Sequence, residues 1–384
     1  MLRKFEFNKM TTLNRLKSSL SGDAKGKSSL PLLLSISLLA VAPVICSATA
    51  ATLPALPEPV SNQLVLQTTV RAKSYLVSFA GLGAEKTAAS SHNKAWQLTE
   101  GNAMWQPVAA VPNQARKSGR LAATGLAMSN NFFIFSGYSV AADGAETTLT
   151  DSYRFSPITQ TYTKLPDMPV PVDDSLAMSY QERYIYLISG WHNDGNVNLV
   201  QVFDNFSQKW QQATPFPGTP VFGLAGAAVG NQLLVCDGVK LNYAEGKRSY
   251  AMENQCYLGT IDAKSALKIN WQPIVHHGQA ARYRQSAVAV TLNNEPMIAF
   301  IGGSENPYNF NGIGYNGTAS EPSAAVYVYA LQQQKWLKAE PTTAVMDLRS
   351  VVSIKGEIYS VGGMLAGQNV TPQLIKHQIK LLPE

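Results

Sequence analysis

The strongest constraint on this fold is a glycine that recurs six times, each time after a short apolar run. The six glycines lie 48 to 65 residues apart, at Gly81, Gly137, Gly190, Gly238, Gly303 and Gly363. An aromatic residue follows five of them, at Trp105, Tyr162, Trp210, Trp271 and Trp336. A repeat of roughly 50 residues containing several short strand-like segments is typical of the blades of a β-propeller. The pattern therefore predicts an all-β, six-bladed propeller.

The stretch from 284 to 341 shows one complete repeat. It contains four short apolar or alternating segments, a turn at Asn293 and Asn294, the Gly302-Gly303 pair and Trp336. Glycine accepts the positive φ that ends a strand and allows close approach of backbones near a crowded axis. The tryptophan is expected to wedge between neighbouring blades and bury its apolar face. A β-sandwich with coincidental glycines is the alternative, and the near-regular spacing disfavours it.

The ring is predicted to close through the amino-terminal part of the chain. No sixth aromatic mark follows Gly363, because the chain stops soon after an apolar run over 373–382. The segment 53–57, Leu-Pro-Ala-Leu-Pro, resembles segment 165–169, which follows Tyr162 in the second repeat. We therefore expect the N-terminal strand to complete the last blade and remove the open sheet edges. The predicted blades span 63–108, 120–165, 174–213, 224–274, 284–341 and 349–382.

Residues 1–50 have the pattern of a secretory signal peptide, and 51–384 are predicted to form the propeller. A basic region precedes the apolar run from 30 to 45, and Ala48-Thr49-Ala50 is a small-x-small cleavage pattern. The apolar run is short for a membrane-spanning helix. The sequence thus predicts export to the periplasm, with no membrane span in the mature protein.

The basic composition belongs mostly to that leader. Seven Lys and Arg residues against two acidic ones give residues 1–50 five of the six net positive charges of the whole chain. The predicted mature protein is nearly neutral, so no basic stripe remains to indicate binding to nucleic acid or to an anionic membrane. The sequence does not determine the oligomeric state.

Two cysteines remain after the leader, Cys236 and Cys256. They fall on the second and third strands of the fourth predicted blade, which are neighbours. A disulfide between them is geometrically reasonable in an oxidising compartment. Two buried free thiols are the alternative.

The long loops are predicted to share one face of the ring. Strands alternate in direction within a blade, so the loops after each second strand lie beside the connections that enter the next blade. These connections carry charge at similar positions, among them Arg116, Arg120, Asp173 and Asp174, then Arg282, Arg284, Asp347 and Arg349. Pointed at the axis, the arginines Arg120, Arg282, Arg284 and Arg349 would hold a carboxylate ligand through paired hydrogen bonds. The alternative is that they brace the loops through salt bridges.

Two of these loops supply further candidates. The blade-five loop contains Glu305, Asn306 and Tyr308, and amide and tyrosine groups are common in sugar sites. The blade-four loop contains Lys240, Glu245, Arg248 and Glu253. A self-packed Asn/Gly loop is the alternative for blade five. His276 and His277 are adjacent in sequence, which is awkward for two ligands of one metal, so no metal site is predicted.

The chain resembles the kelch-repeat propellers, and in particular the periplasmic N-acetylneuraminate epimerase (sialic acid mutarotase) family and its permuted relatives. The resemblance rests on segments 246–249 and 281–286 and on Gly302-Gly303 with 305–308. It implies a six-bladed propeller that interconverts sugar anomers without a cofactor. Arg248 matches the family's catalytic arginine, and Glu245, Glu253 or Glu305 is the candidate for proton transfer.

The resemblance implies an acidic sugar as the substrate. Arg248, Arg282 and Arg284 would hold its carboxylate, with Lys240, Arg120 and Arg349 nearby, and Asn306 and Tyr308 would bind its hydroxyl groups. A non-catalytic carbohydrate- or protein-binding propeller is the competing reading, because a fold alone does not determine function.

Overall fold

The computed structural model describes residues 53–113 and 119–383. The predicted signal peptide and Arg116 lie outside these residues, so the leader, its cleavage site and the domain boundary remain predictions. No helix among the described residues is both long enough and apolar enough to cross a membrane.

Six antiparallel sheets form the blades, and each is built from sequence-local strands. Blade 1 comprises β1 (Leu64–Val70), β2 (Lys73–Leu82), β3 (Ser91–Thr99) and β4 (Gln106–Val108), with a 3₁₀ turn at Ala88–Ser90. Blade 2 comprises β5 (Thr124–Met128), β6 (Asn131–Phe135), β7 (Tyr138–Val140), β8 (Glu146–Thr148), β9 (Ser152–Ser156) and β10 (Thr161–Leu165). Blade 3 comprises β11 (Leu176–Tyr180), β12 (Tyr184–Ile188), β13 (Trp191–His192), β14 (Gly195–Asn196), β15 (Val200–Asp204) and β16 (Lys209–Gln212).

The second half of the ring repeats this plan. Blade 4 comprises β17 (Ala225–Val229), β18 (Gln232–Cys236), β19 (Val239–Ala244), β20 (Lys247–Met252), β21 (Cys256–Asp262) and β22 (Ser265–Ile274). Blade 5 comprises β23 (Ser286–Leu292), β24 (Glu295–Ile301), β25 (Val326–Ala330) and β26 (Lys335–Lys338). Blade 6 comprises β27 (Val352–Ile354), β28 (Glu357–Val361), β29 (Met364–Leu365), β30 (Asn369–Val370) and β31 (Leu374–His377), with a 3₁₀ turn at Ala366–Gln368.

The predicted six-bladed arrangement is confirmed. The first strand of each blade is innermost, and the innermost strands β1, β5, β11, β17 and β23 contact one another in ring order. Strand β27 contacts β1, and the backbone amide of Val351, just before β27, donates to the Ser286 hydroxyl oxygen at the start of β23 (2.9 Å), which completes the circle. Apolar clusters fill the spaces between adjacent blades. The core is therefore a set of inter-blade layers around one axis.

The five aromatic marks link each blade to the connection that enters it. Their side chains donate to backbone carbonyls: Trp105 to Pro54, Tyr162 to Ala109, Trp210 to Pro166, Trp271 to Thr214 and Trp336 to Val275. Pro54 thus occupies the place in the last connection that Pro166 occupies between blades 2 and 3. This equivalence explains why segments 53–57 and 165–169 resemble each other.

The amino-terminal segment closes the ring by packing between blade 6 and blade 1. The Leu56 amide donates to the Pro372 carbonyl (2.8 Å), and Leu56 and Val60 are buried among residues of both blades. Within the described residues, blade 6 has three ladder strands, and 53–60 adds no fourth. The end of the predicted run 373–382 also leaves blade 6. The Leu382 amide donates to the Lys338 carbonyl of β26 (2.9 Å), and the Glu340 amide just after β26 donates to the Lys380 carbonyl (2.8 Å), so this end pairs with blade 5.

The predicted disulfide is present between Cys236 and Cys256, which face each other across β18 and β21. It closes a loop with a sequence separation of 20. Such a cross-link restricts the unfolded chain, so reduction is expected to lower the free energy of unfolding by about 2–3 kcal/mol. Urea denaturation with and without a phosphine reductant measures this difference. An unchanged midpoint would show that the cross-link adds no stability.

Candidate functional site

A repeated backbone geometry places one residue of every blade at the axis. A residue three to six positions before each innermost strand forms an isolated bridge with the start of that blade's long loop, as in Asp173 with Trp191. The next residue has φ between 50° and 63°, and the six such residues are Asn62, Ala122, Asp174, Gly223, Arg284 and Asp347. Backbone hydrogen bonds join neighbours in this set: the Asp174 amide donates to the Ala122 carbonyl, Gly223 to Asp174, and Arg284 to Gly223. We call these six residues the axial ring.

The charged members of the axial ring neutralise one another. Arg284 donates to Asp174 (2.7 Å) and to Asp347 (2.9 Å), and all three side chains are buried. Arg349 pairs with the other oxygen of Asp174 and with Asn62 (3.1 Å). Two arginines and two aspartates thus form a balanced network across the axis. The bracing alternative explains Arg284 and Arg349 better than an open arginine mouth does.

Arg120 and Arg282 occupy equivalent positions and have structural contacts. Each precedes the bridging residue of its blade and donates to the carbonyl at the end of that blade's second strand, Ser136 for Arg120 and Gly302 for Arg282 (2.8 Å). Arg120 also pairs with the buried Asp151 (2.8 Å). Both side chains are buried away from the axial opening, so their contacts do not support the ligand role expected from the sequence.

A cavity of about 410 Å³ opens above the axial ring on the face of the long loops, and we call it the mouth pocket. Its floor includes Asp174 and Arg284 of the axial ring. Its walls are formed by residues of the long loops and the bridging positions, including Tyr138, Glu146, Thr148, Asp173, Trp191, Arg248, Tyr250 and Tyr315. The volume is in the range of small-molecule sites. The predicted clustering of long loops around one opening is therefore observed.

Aromatic side chains form one wall of the mouth pocket. Tyr250 stacks on Tyr315 with ring centroids 4.0 Å apart, and Trp191 packs against Tyr250 and Phe222. Burial raises the pKa of the Tyr315 and Tyr250 hydroxyls, so both stay protonated at neutral pH. Flat apolar faces bordered by hydroxyl groups match the C–H faces and hydroxyl edges of a sugar ring.

Two carboxyl groups face this wall without cationic partners. Asp173 is buried, one of its oxygens accepts a hydrogen bond from Thr148 (2.7 Å), and desolvation raises its pKa to about 7. Part of the Glu146 side chain is exposed, but the surrounding pocket residues remove water from around its carboxyl. This desolvation raises the pKa of the Glu146 carboxyl. Neither forms an ion pair with the described residues. A carboxyl whose pKa is near neutrality is suited to proton transfer.

The backbone around Gly190 determines where Asp173 lies. Gly190 has φ 112°, and a Cβ there would lie 2.8 Å from the carbonyl oxygen of Asp173. Only glycine therefore lets the end of β12 approach the connection closely enough for the Asp173–Trp191 bridge. Thr148 comes from β8 of blade 2, so the Asp173 carboxyl is held between two blades.

Of the residues predicted from the sequence, Arg248 and Arg284 line the mouth pocket. Arg248 lies at the rim, largely exposed, with Asp194 3.3 Å away. Glu245 lies at the exposed turn of the β19–β20 hairpin, and Lys240 pairs with Glu253 (2.7 Å) at the base of that hairpin. These residues share a hairpin, but only its Arg248 side reaches the pocket.

The blade-five candidates lie elsewhere. Glu305 and Asn306 border a separate surface cavity, where Asn306 is hydrogen-bonded to Asn316 and to the Thr318 carbonyl. Tyr308 is fully buried and its hydroxyl lies 3.5 Å from Asp347, below the pocket floor. The self-packed loop was the better of the two interpretations for this segment.

The repeat pattern of the sequence could have identified Asp173 as unusual, although its charge by itself did not. The other five bridging positions hold Ser61, Leu121, Phe222, Tyr283 and Met346, so an acid there breaks a mostly apolar position of the repeat. Glu146 belongs to a hairpin without a counterpart of equal length in blade 1, and the repeat gives no signal for it.

Known proteins support the fold. No protein-family model matches the chain. It is 25% identical to Kelch domain-containing protein 3 of Homo sapiens over 261 residues, which are 64% of this chain and 64% of that protein. It is 29% identical to Kelch-like protein 15 of Gallus gallus over 115 residues, 30% of this chain and 23% of that protein. The matches thus span between about a quarter and two thirds of the length of these relatives.

Among solved structures, that of YjhT superposes with a TM-score of 0.66 at 15% identity, covering 87% of this chain and 100% of that one. An identity this low shows the fold alone. Together with the kelch relatives, the blade repeat and the six sheets, it defines the protein as a six-bladed kelch-type β-propeller. Its distinguishing feature is a polar, aromatic-walled pocket above a self-neutralised axial ring.

Proposed function

We propose that the protein is a cofactor-independent isomerase that exchanges the anomers of a sugar in the mouth pocket. The observation that carries the proposal is the buried Asp173 carboxyl, with a pKa of about 7, facing an aromatic wall. The resemblance to sialic acid mutarotases suggests sialic acid or a related acidic sugar. The disulfide supports an exported, oxidising location such as the periplasm.

The reaction needs one base and one acid. The Asp173 carboxylate takes the proton of the anomeric hydroxyl while the ring carbon–oxygen bond breaks and the carbonyl forms. The hydroxyl of a pocket tyrosine, Tyr250 or Tyr315, which stays protonated at neutral pH, gives a proton to the departing ring oxygen. Rotation about the adjacent carbon–carbon bond presents the other face of the carbonyl, and the two proton transfers then run in reverse. The carboxylate and the hydroxyl both recover their initial states, so no cofactor or net charge change is required.

The axial ring contributes a rigid floor to this reaction. Asp174 and Arg284 are held by buried ion pairs, so they cannot swing toward the substrate without breaking those contacts. Arg248 is the pocket cation with open hydrogen-bonding capacity, and its exposed position at the rim suits the carboxylate of an acidic sugar. Substrate orientation then follows from the rim cation on one side and the aromatic wall on the other.

Replacing Arg248 with alanine is expected to weaken binding of sialic acid by about 10- to 100-fold, because one charge-assisted hydrogen-bond pair is lost. Binding of a neutral sugar should change little. Lys247→Ala is the matched control, since Lys247 is an exposed cation on the same hairpin that does not line the pocket. Calorimetric titration of the three proteins measures the effect. Equal losses for acidic and neutral sugars would contradict a carboxylate contact.

Saturation-transfer NMR separates an isomerase from a binding module. Irradiating one anomer of sialic acid in the presence of the protein should reduce the signal of the other anomer faster than in buffer alone. Saturation transfer from protein to sugar without faster anomer exchange would instead establish a carbohydrate-binding propeller. Absence of both effects across acidic and neutral sugars would leave protein recognition as the function.

A further inference from the structure

A second polar cluster lies at the contact between blades 4 and 5, outside the mouth pocket. Its centre is Asp237, which is fully buried at the end of β18, directly after Cys236. The Asp237 carboxylate is contacted by His276 Nε2 at 2.6 Å and by Gln285 Nε2 at 2.6 Å. The backbone amide of Arg282 donates to it at 3.1 Å. An aspartate occupies this place, just before the repeated glycine, although all five other blades have glycine, alanine or serine there.

The disulfide lies against this cluster. The Sγ atom of Cys256, a carboxylate oxygen of Asp237 and a ring nitrogen of His276 are all within 4.8 Å of one another. Thiolate, imidazole and carboxylate are the ligand types of zinc sites. Tetrahedral bonds of about 2.0–2.3 Å place ligand atoms roughly 3.3–3.7 Å apart. The Cys256 sulfur therefore needs to approach the other two atoms by at most about 1 Å, whereas His276 Nε2 and the Asp237 oxygen, now 2.6 Å apart, need to separate. Because the Cys256 sulfur is bonded to Cys236, it is not available as a thiolate in this state.

We propose that reduction of the Cys236–Cys256 disulfide converts this cluster into a zinc site formed by Asp237, His276 and Cys256. A phosphine reductant and one water convert the disulfide into two thiols and the phosphine oxide. Zn²⁺ then displaces the thiol proton of Cys256 and inserts between His276 and Asp237, whose present contact is broken. A water completes the four-coordinate site.

The surroundings already supply an outer shell for such a metal. Gln285 and the Arg282 amide hold the Asp237 carboxylate in place, which is the usual role of groups around a metal ligand. His277 stacks on Tyr327 at 4.1 Å between ring centroids and is fixed beside His276. The His276 side chain is 14% exposed, so the cluster reaches solvent through that ring. The site therefore cannot bind metal through Cys256 while the disulfide is intact, and it can do so once both cysteines are free thiols.

Cobalt(II) titration followed by absorbance tests the proposal, because thiolate-to-cobalt charge transfer reports a Co–S bond. All proteins carry Cys46→Ser, which removes the third cysteine of the chain. Phosphine-reduced protein and the Cys236→Ser variant, which leaves Cys256 free without reductant, are expected to bind one equivalent with this band. The band should be lost when His276→Ala or Asp237→Asn is added to Cys236→Ser, and it should persist with His192→Ala as the matched control.

Two results would overturn the inference. One is the absence of the charge-transfer band from both the reduced protein and Cys236→Ser while circular dichroism shows that the β-structure is intact. The other is a band that survives His276→Ala in the Cys236→Ser background. Because reduced wild-type protein and Cys236→Ser reach the free thiol by different routes, poor folding of the variant alone does not remove the test.

Discussion

Replacing Asp173 with asparagine is expected to slow anomer exchange by about 10²- to 10⁴-fold, the usual contribution of a general base. Asparagine keeps the shape of the side chain and its contact with Thr148, but it cannot accept the anomeric proton. In the unsubstituted protein the exchange rate should rise with pH around the Asp173 pKa of about 7, as the carboxylate forms. That rise should be absent from the variant.

The same substitution should stabilise the fold at alkaline pH. Burial raises the pKa of Asp173 from 3.8 to about 7, so the folded state binds this proton more tightly than the unfolded state does. The resulting stabilisation is present below pH about 4 and is lost as the pH rises to about 7. Above that, the buried carboxylate costs on the order of 2–4 kcal/mol, and Asp173→Asn removes this cost. A gain in stability with a loss of activity is a pattern that simple misfolding does not produce.

Asp143→Asn is the matched control for both measurements. Asp143 lies in the exposed turn between β7 and β8 and is not among the residues lining the mouth pocket. Its replacement is expected to leave exchange and stability nearly unchanged. If the Asp173→Asn and Asp143→Asn proteins exchange anomers at the same rate, the assignment of proton transfer to Asp173 is wrong, even if the pocket binds the sugar.

Replacing Arg284 with alanine is expected to lower the free energy of unfolding by about 3–5 kcal/mol. The change leaves Asp174 with Arg349 as its remaining cationic partner and Asp347 without its cation, and both carboxylates are buried. Uncompensated buried charge is far more costly than loss of a surface ion pair. Urea denaturation monitored by tryptophan fluorescence measures the difference.

The exposed Arg248 provides the control for Arg284. Its partner Asp194 is 92% exposed, so Arg248→Ala should change stability by less than about 1 kcal/mol. Similar stability losses for the two variants would show that the axial ring does not hold the blades together. The two arginines were assigned one role from the sequence, and this pair of measurements distinguishes a structural from a ligand-contacting arginine.

The blade repeat made the fold predictable because it is a local signal. A glycine with positive φ ends the second strand of every blade. In five blades an aromatic side chain is hydrogen-bonded to the connection that enters the blade, so the spacing and type of these residues could be recognised in the sequence. The equivalence of Pro54 and Pro166 was readable for the same reason. The disulfide followed from the placement of Cys236 and Cys256 on adjacent strands.

The site was less predictable because partners come from different blades. Arg284 pairs with Asp174, which is separated from it by 110 positions in the sequence. No local sequence pattern indicates that these two charges neutralise each other. Asp173 depends on Thr148 from blade 2 for its position. Side-chain direction at the axis is set by the positive φ of the axial ring, which the residue types Ala122, Arg284 and Asp347 do not indicate.

A crystal structure with a bound sugar tests the central claim most directly. We expect the sugar in the mouth pocket, with its ring against Tyr250 and Trp191 and its anomeric oxygen within hydrogen-bonding distance of the Asp173 carboxyl. A sugar bound on the face of the tight turns, or one held at the rim with its anomeric oxygen away from Asp173, would contradict the account.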